Sequence, residues 1–288
     1  MSARRERAPA PEDLPRMTLL EHLEELRRRI LRALLAVAAA FALCFAFAGE
    51  IFDFLARPIY RYLPAGTKLA YLGITDPFLL YMKVALLAGV FLAAPVVLLE
   101  VWRFVAPGLY QRERRWAVPF VLFGTLFFLA GGLFGYYVAF PFAVQFLLDV
   151  GRELQPVITA ERYFGFLLTV ILGLGLMFEL PIAIVLLAQV GVVTPRFLLR
   201  KLRWAVLIIV AVAALITPTA DLFNLLLFAG PAILLYLLGI GAAALVDRSH
   251  RSAGLRPKRR PPAGTNSTPA VEPATDSPAP AAGPSPPR

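Results

Sequence analysis

The chain has 288 residues, of which 59% are hydrophobic, a mean hydropathy of +0.70 and a net charge of +10. That apolar load excludes an ordinary soluble domain and indicates a polytopic membrane protein. The excess of cations comes without any nucleic-acid-binding module, so it is read as a topology signal and nucleic acid is excluded as a partner. The single Cys44 lies in an apolar run and has no second cysteine for a disulfide and no neighbouring His for a metal.

Residues 1–16 are polar, carry three prolines and are expected to be disordered. Thr18 and Glu21 fit the capping box, and Leu19, Leu23, Leu26 and Ile30 form the apolar stripe of an amphipathic helix. That helix runs into a first span at about 30–48. The arginines before this span, with Ala46-Phe47-Ala48, also mimic a cleaved signal peptide; the long apolar stretch and the spans that follow favour a retained helix. Residues 49–76 form a mixed outer segment. Asp76 as N-cap and Pro77 at the first helical position open a second span that reaches Phe104.

The loop 106–115 precedes a third span from Trp116 to about Leu148. Polar residues 149–162 lead to a fourth span, Tyr163 to Val190. A basic loop, 191–203, comes before a fifth apolar stretch, Trp204 to Ile216, of only 13 residues. Thr217 to Asp221 is a tight turn, and a sixth span runs from Leu222 to about Val246. Residues 247–288 are first basic and then rich in Pro, Ala and Ser, and are expected to be a disordered tail. The membrane domain is thus 17–246. Pro95, Pro119, Pro141 and Pro181 are expected to kink or start helices.

Lys and Arg near the ends of the spans number 20 on the side of both termini and 5 on the other, so both termini are expected to be cytoplasmic. At about 1.5 Å per residue, the fifth stretch reaches roughly 20 Å, against a hydrocarbon core of about 30 Å. It must sink among its neighbours, recruit flanking residues or thin the bilayer.

The intramembrane polar residues are few. Lys83 can snorkel outward. Glu100 and Arg103 stand i, i+3 and are expected to pair. Glu179, in the middle of the fourth span, has no charged neighbour on its own helix. An ionised carboxylate there is prohibitive, so it is expected to be protonated or hydrogen-bonded across helices. Gly175 and Ala183, four residues to either side, would let another helix approach. Pro181 removes the donor for the carbonyl of Met177. Two readings stay open: Glu179 is a handle for a partner helix, or it bonds within the chain, for example to Gln145. Glu25 and Glu113 lie among arginines in HLEELRRR and QRERR. They could be solvated i, i+4 ion pairs, or two carboxylates able to hold two guanidinium groups. No phosphate loop, metal-spaced His/Cys set or nucleophile elbow occurs, so no enzyme activity, metal or cofactor is implied, and His22 and His250 stand isolated.

The motifs HLEELRRRI, VWRFVAPGLYQRERR, FELPIAIVLL and LITPTADLFNLLL, in this order over residues 17–245, resemble TatC of the twin-arginine protein translocase. The resemblance implies an all-α fold: a concave helical scaffold of six transmembrane helices with short fifth and sixth spans, in the bacterial cytoplasmic (inner) membrane. It implies a receptor that binds twin-arginine signal peptides of folded cargo through Glu25 and Glu113, with Phe104 and Arg27 close by. It implies that Glu179 contacts TatA- and TatB-type single-span partners in a proton-gradient-driven complex, in which the chain is itself expected to be oligomeric. Pro58 and Asp221 match further family positions, and Asp221 also suits the N-cap of the sixth helix. Leu237 stands where many members carry a glutamate. The competing readings are a small proton-coupled transporter using Glu179, and a membrane anchor for a soluble complex.

Overall fold

The computed structural model of the chain describes residues 19–60, 69–105, 117–153, 157–217 and 221–252. Thr18, the loop 106–116, Glu113 within it, the segment 1–16 and residues 253–288 lie outside the described residues, while the first six residues of the expected disordered tail 247–288 are instead helical, because the last helix continues past its apolar span to Ser252. Among the described residues the fold is all-helical. Five helical segments are long and apolar enough to cross a membrane, at Leu20–Ala46, Asp76–Val105, Ala117–Val150, Ala160–Gln189 and Leu222–Leu245.

Helix α1 (Leu19–Ala46) continues without a break from its charged first turns into the apolar span. It lies antiparallel to α3 (Asp76–Val105): Phe45 meets Phe78 at one end and the His22 ring stacks on Phe104 at the other. The two backbones approach closely because residue 89 is glycine. A Cβ there would stand 2.8 Å from the Phe41 backbone. The small side chains of Cys44, Ala48 and Ala85 are buried in the same seam. The first span is therefore part of the packed bundle.

The outer segment 49–76 is more ordered than its mixed composition suggests. Helix α2 (Ala48–Tyr60) buries Leu55, Ala56 and Ile59 against the bundle. Pro58 lies inside it. Proline has no N–H, so the Phe54 carbonyl loses its helical donor. The hydroxyl of Tyr136 donates to that carbonyl instead, at 2.5 Å, and the Tyr163 hydroxyl donates to the next one, Leu55, at 3.1 Å.

Asp76 does not cap α3 as expected. Its Oδ2 accepts from the N–H groups of Leu72 (3.2 Å) and Gly73 (2.6 Å), so it holds the preceding turn. Thr75 takes the cap position, its carbonyl accepting from the Leu79 N–H. The third span is interrupted. After α4 (Ala117–Phe134) come one π turn (Gly135–Ala139) and α5 (Phe140–Val150). The turn immediately precedes Pro141, which cannot donate to a regular ladder, and Phe140 donates instead to the Gly135 carbonyl five residues back.

The fourth span is also two helices, α6 (Ala160–Phe178) and α7 (Leu180–Gln189), broken at Glu179 just before Pro181. Helix α6 is the centre of the core. Phe164, Leu167, Val170 and Leu174 are fully buried along it, in one cluster with Phe140 and Phe228. Helix α7 ends in a Schellman motif. Gly191 takes φ +81°, and the N–H of Val192 reaches back to the Leu187 carbonyl at 3.0 Å.

The basic loop 191–203 contains a short helix, α8 (Pro195–Arg200), capped by the Thr194 hydroxyl accepting from the Phe197 N–H at 3.2 Å. Helix α9 (Leu202–Ile216) has 15 residues, or about 22 Å, still short of a bilayer core. Helix α10 (Leu222–Ser252) starts at Asp221, whose Oδ1 accepts from the Asn224 N–H at 2.7 Å, as expected of an N-cap. The expectation of a short sixth span is corrected. The apolar part of α10 runs 24 residues, because Pro231 is accommodated inside the helix and nothing else interrupts it. Shortness is confined to α9.

Candidate functional site

Two places gather polar groups in this apolar bundle. The first is where the start of α1 meets the end of α3. Arg29 forks between two carboxylates there. Its Nη2 and Nε donate to Glu25 Oε1 at 2.6 and 3.2 Å, and its Nη1 donates to Glu100 Oε2 at 3.0 Å. Arg103 donates to the other oxygen of Glu100 at 3.1 Å. The expected Glu100–Arg103 pair is therefore present, but as one arm of a four-residue cluster joining two helices.

Burial explains why the cluster exists. Glu100 is 5% exposed, and a carboxylate that deep is tolerated only when its charge is compensated. Glu25 belongs to the same cluster, so its i, i+4 pair with Arg29 is largely buried and not solvated. Only Oε1 of Glu25 is engaged; Oε2 is buried with no hydrogen-bond partner among the described residues. By contrast, the Arg28–Glu24 pair one step along α1 is exposed on both sides and adds little. A groove of about 320 Å³ runs here, lined by Glu21, Glu24, Glu25, Arg28, Arg29 and Arg32. Phe104, at the end of α3, is half-buried and carries His22 stacked at 4.6 Å between ring centres. Arg27 is exposed on α1. Of the four residues expected at this site, Glu25, Phe104 and Arg27 sit at one end of the α1–α3 pair, and Glu113 lies outside the described residues.

Sequence reasoning left out three members of this site: Arg29, Glu100 and His22. The signal for Glu100 was available, since a carboxylate that deep needs more than one exposed arginine. Nothing in the local sequence joins His22 to Phe104, because their contact depends on the register of two separate helices.

The second place is Glu179. It is half-buried at the break between α6 and α7, its Oε1 shielded with no hydrogen-bond partner among the described residues. Its Oε2 lies over Gly124 of α4, 3.5 Å from where a Cβ would be. Glycine at 124 makes room for Leu98, whose Cδ1 would stand 2.9 Å from a Cβ there, while the carboxylate lies at ordinary contact distance. The Gln145 partner is ruled out by distance: it stands 21 residues further along the same rod as Gly124, roughly 30 Å away.

The small residues flanking Glu179 differ in fate. Gly175 is buried, and a Cβ there would press on Phe128 and Phe91 of the same chain, at 3.0 and 3.2 Å. The helices that approach at Gly175 are thus this chain's own α4 and α3. Ala183 is exposed, in line with exposed Leu176 and Leu187. The open strip beside Glu179 is therefore Leu176–Ala183–Leu187, which corrects the symmetric Gly175–Ala183 face. Leu237, at 43% exposure on α10, supplies no second carboxylate.

A family model described as Sec-independent protein translocase protein (TatC) matches residues 21–231. The chain belongs to the TatC family. The protein of that name from Koribacter versatilis is 48% identical over 243 residues, covering 83% of this chain and 90% of its own length. TatCy of Bacillus subtilis is 38% identical, covering 78% and 87% of the two chains. A crystal structure of the twin arginine translocase receptor TatC superposes with a TM-score of 0.71 at 34% identity, over 79% of this chain and all of that one. As a TatC-family member the chain is a multi-pass membrane component of a protein translocase and a protein-transport subunit, not a catalytic enzyme. Family membership displaces the carrier and anchor readings.

Proposed function

We propose that this chain is the receptor and scaffold subunit of a twin-arginine translocase in the bacterial cytoplasmic membrane. It crosses six times with both termini cytoplasmic, α9 being the short fifth crossing; the 20-to-5 asymmetry of Lys and Arg supports that orientation. The observation that carries the receptor reading is the buried, unpartnered oxygen of Glu25. A buried carboxylate atom with no partner is costly to keep, and an arginine guanidinium is the ligand that satisfies it best. On this reading Glu25 takes one arginine of a signal peptide and Glu113 the other, with Arg27 and the Phe104–His22 stack bordering the seat.

The scaffold role rests on Glu179. TatA- and TatB-type single-span helices would lie along Leu176, Ala183 and Leu187, each offering a polar group to Glu179 Oε1. Further copies of this chain complete the complex, and the proton gradient supplies the energy. Residues 17–246 form the membrane domain, and the polar ends beyond it lie on the cytoplasmic side. The test is photo-crosslinking of a twin-arginine peptide to the purified protein. Glu25→Ala and Glu113→Ala should each weaken crosslinking, and the double variant should lose it. Undiminished crosslinking in the double variant would end the proposal.

A further inference from the structure

The seat for an incoming guanidinium at Glu25 is already half taken. A guanidinium binds best to both oxygens of a carboxylate, through two parallel N–H donors. Oε2 of Glu25 is buried and has no partner among the described residues, and Oε1 holds Arg29 through two nitrogens. A bidentate ligand therefore has to turn Arg29 away from Glu25. The Arg29 side chain is only 17% exposed, so stripping its counter-charge would leave a largely buried cation uncompensated.

Glu100 removes that difficulty. It faces Arg29 from α3 at 3.0 Å, opposite Glu25. With a side chain 7% exposed, it is too deep to meet a ligand itself. It is also tied to Arg103 at 3.1 Å, which fixes its position on the far side.

We propose that Glu100 is a positioning residue for signal-peptide recognition: it retains Arg29 when an incoming arginine takes Glu25, so that binding exchanges one guanidinium for another. The inference rests on the receptor reading given above. In the resting state Arg29 stands in for the ligand and keeps Glu25 compensated. In the bound state Arg29 swings fully onto Glu100 and frees Oε1. Selectivity follows, because only a guanidinium can make two parallel bonds to the vacated carboxylate, whereas a lysine ammonium is a point charge that cannot form that fork and so gains less from displacing Arg29.

The test is the affinity of a fluorescent twin-arginine peptide for the full-length protein in mild detergent, by anisotropy. Glu100→Gln should weaken binding roughly tenfold, because Arg29 then has nowhere to go. Adding Arg29→Gln to that variant should restore most of the affinity, since no cation is left stranded. Arg29→Gln alone should bind a few-fold more tightly than the parent, since the seat is vacated. A purely structural role for Glu100 predicts no such rescue. The inference is overturned if Glu100→Gln binds like the parent, if the double variant stays as weak as Glu100→Gln, or if Arg29→Gln alone weakens binding. Glu25→Gln separates the two claims. If it leaves binding intact, the receptor reading fails; if it weakens binding while Glu100→Gln changes nothing, only the role of Glu100 fails.

Discussion

The hydroxyl of Tyr136 donates to the carbonyl of Phe54, four residues before Pro58, and so replaces the N–H that the proline lacks. Tyr136 is buried in the π turn of the third span, and its ring stacks on Phe54 at 4.9 Å between centres. The irregularity in one helix thus answers the irregularity in another. Removing the hydroxyl with Tyr136→Phe should cost about 1–2 kcal/mol of stability, measured by unfolding in detergent. In a Pro58→Ala background the loss should shrink, because residue 58 can then donate to Phe54. An equal loss in both backgrounds would mean the bond does not compensate for the proline.

Close helix contact gives a second expectation. A Cβ at Gly131 of α4 would stand 2.6 Å from the Leu174 carbonyl oxygen of α6. Backbone cannot move aside cheaply, so Gly131→Ala should destabilise by about 1–3 kcal/mol. Gly241→Ala, with nothing within 4 Å, should leave stability unchanged or raise it by up to about 1 kcal/mol. Thermal unfolding of the two variants side by side checks the contrast; similar behaviour would contradict the packing argument.

These contacts mark what the sequence could and could not convey. Hydrophobic runs, Pro77 and the Asp221 cap carry local signals, so the spans and the start of α10 were legible. The Glu100–Arg103 pair was legible for the same reason, as both lie on one helix face. The cluster around Arg29 was not, because it depends on how far α1 slides along α3, a register set by Gly89 and its small neighbours. Gly175 misled for a related reason. A small residue signals that something comes close, and the periodicity cannot say whether that is another protein or, as here, Phe128 of the same chain. Asp76 misled because its carboxylate serves the turn before the helix, accepting from the N–H groups of Leu72 and Gly73, rather than the helix's own first N–H groups.

Glu179 should act on partner helices as a hydrogen-bonding group. Glu179→Gln keeps a polar handle of the same shape and should largely retain co-purification of single-span partners in mild detergent. Glu179→Leu should lose it. Equal yields from the two variants would show that the handle is not used.

Helix α9 should thin the bilayer locally. Its 15 residues cannot cover the hydrocarbon core, and Leu207 and Leu215 are exposed on its outer face. Spin labels at these two positions should report a membrane thinner than beside Leu86 of the long α3. Equal depth profiles at both helices would refute this.

The most direct test of the receptor account is a comparison of two peptides on one protein. The detergent-purified full-length chain is titrated with a signal peptide carrying two consecutive arginines, and with the same peptide carrying two lysines. Bidentate seating at the carboxylates predicts that the arginine peptide binds at least tenfold more tightly, that Glu25→Gln narrows the difference, and that Glu25→Gln together with Glu113→Gln removes it. Equal affinity for the two peptides, or a preference that survives the double variant, would contradict it.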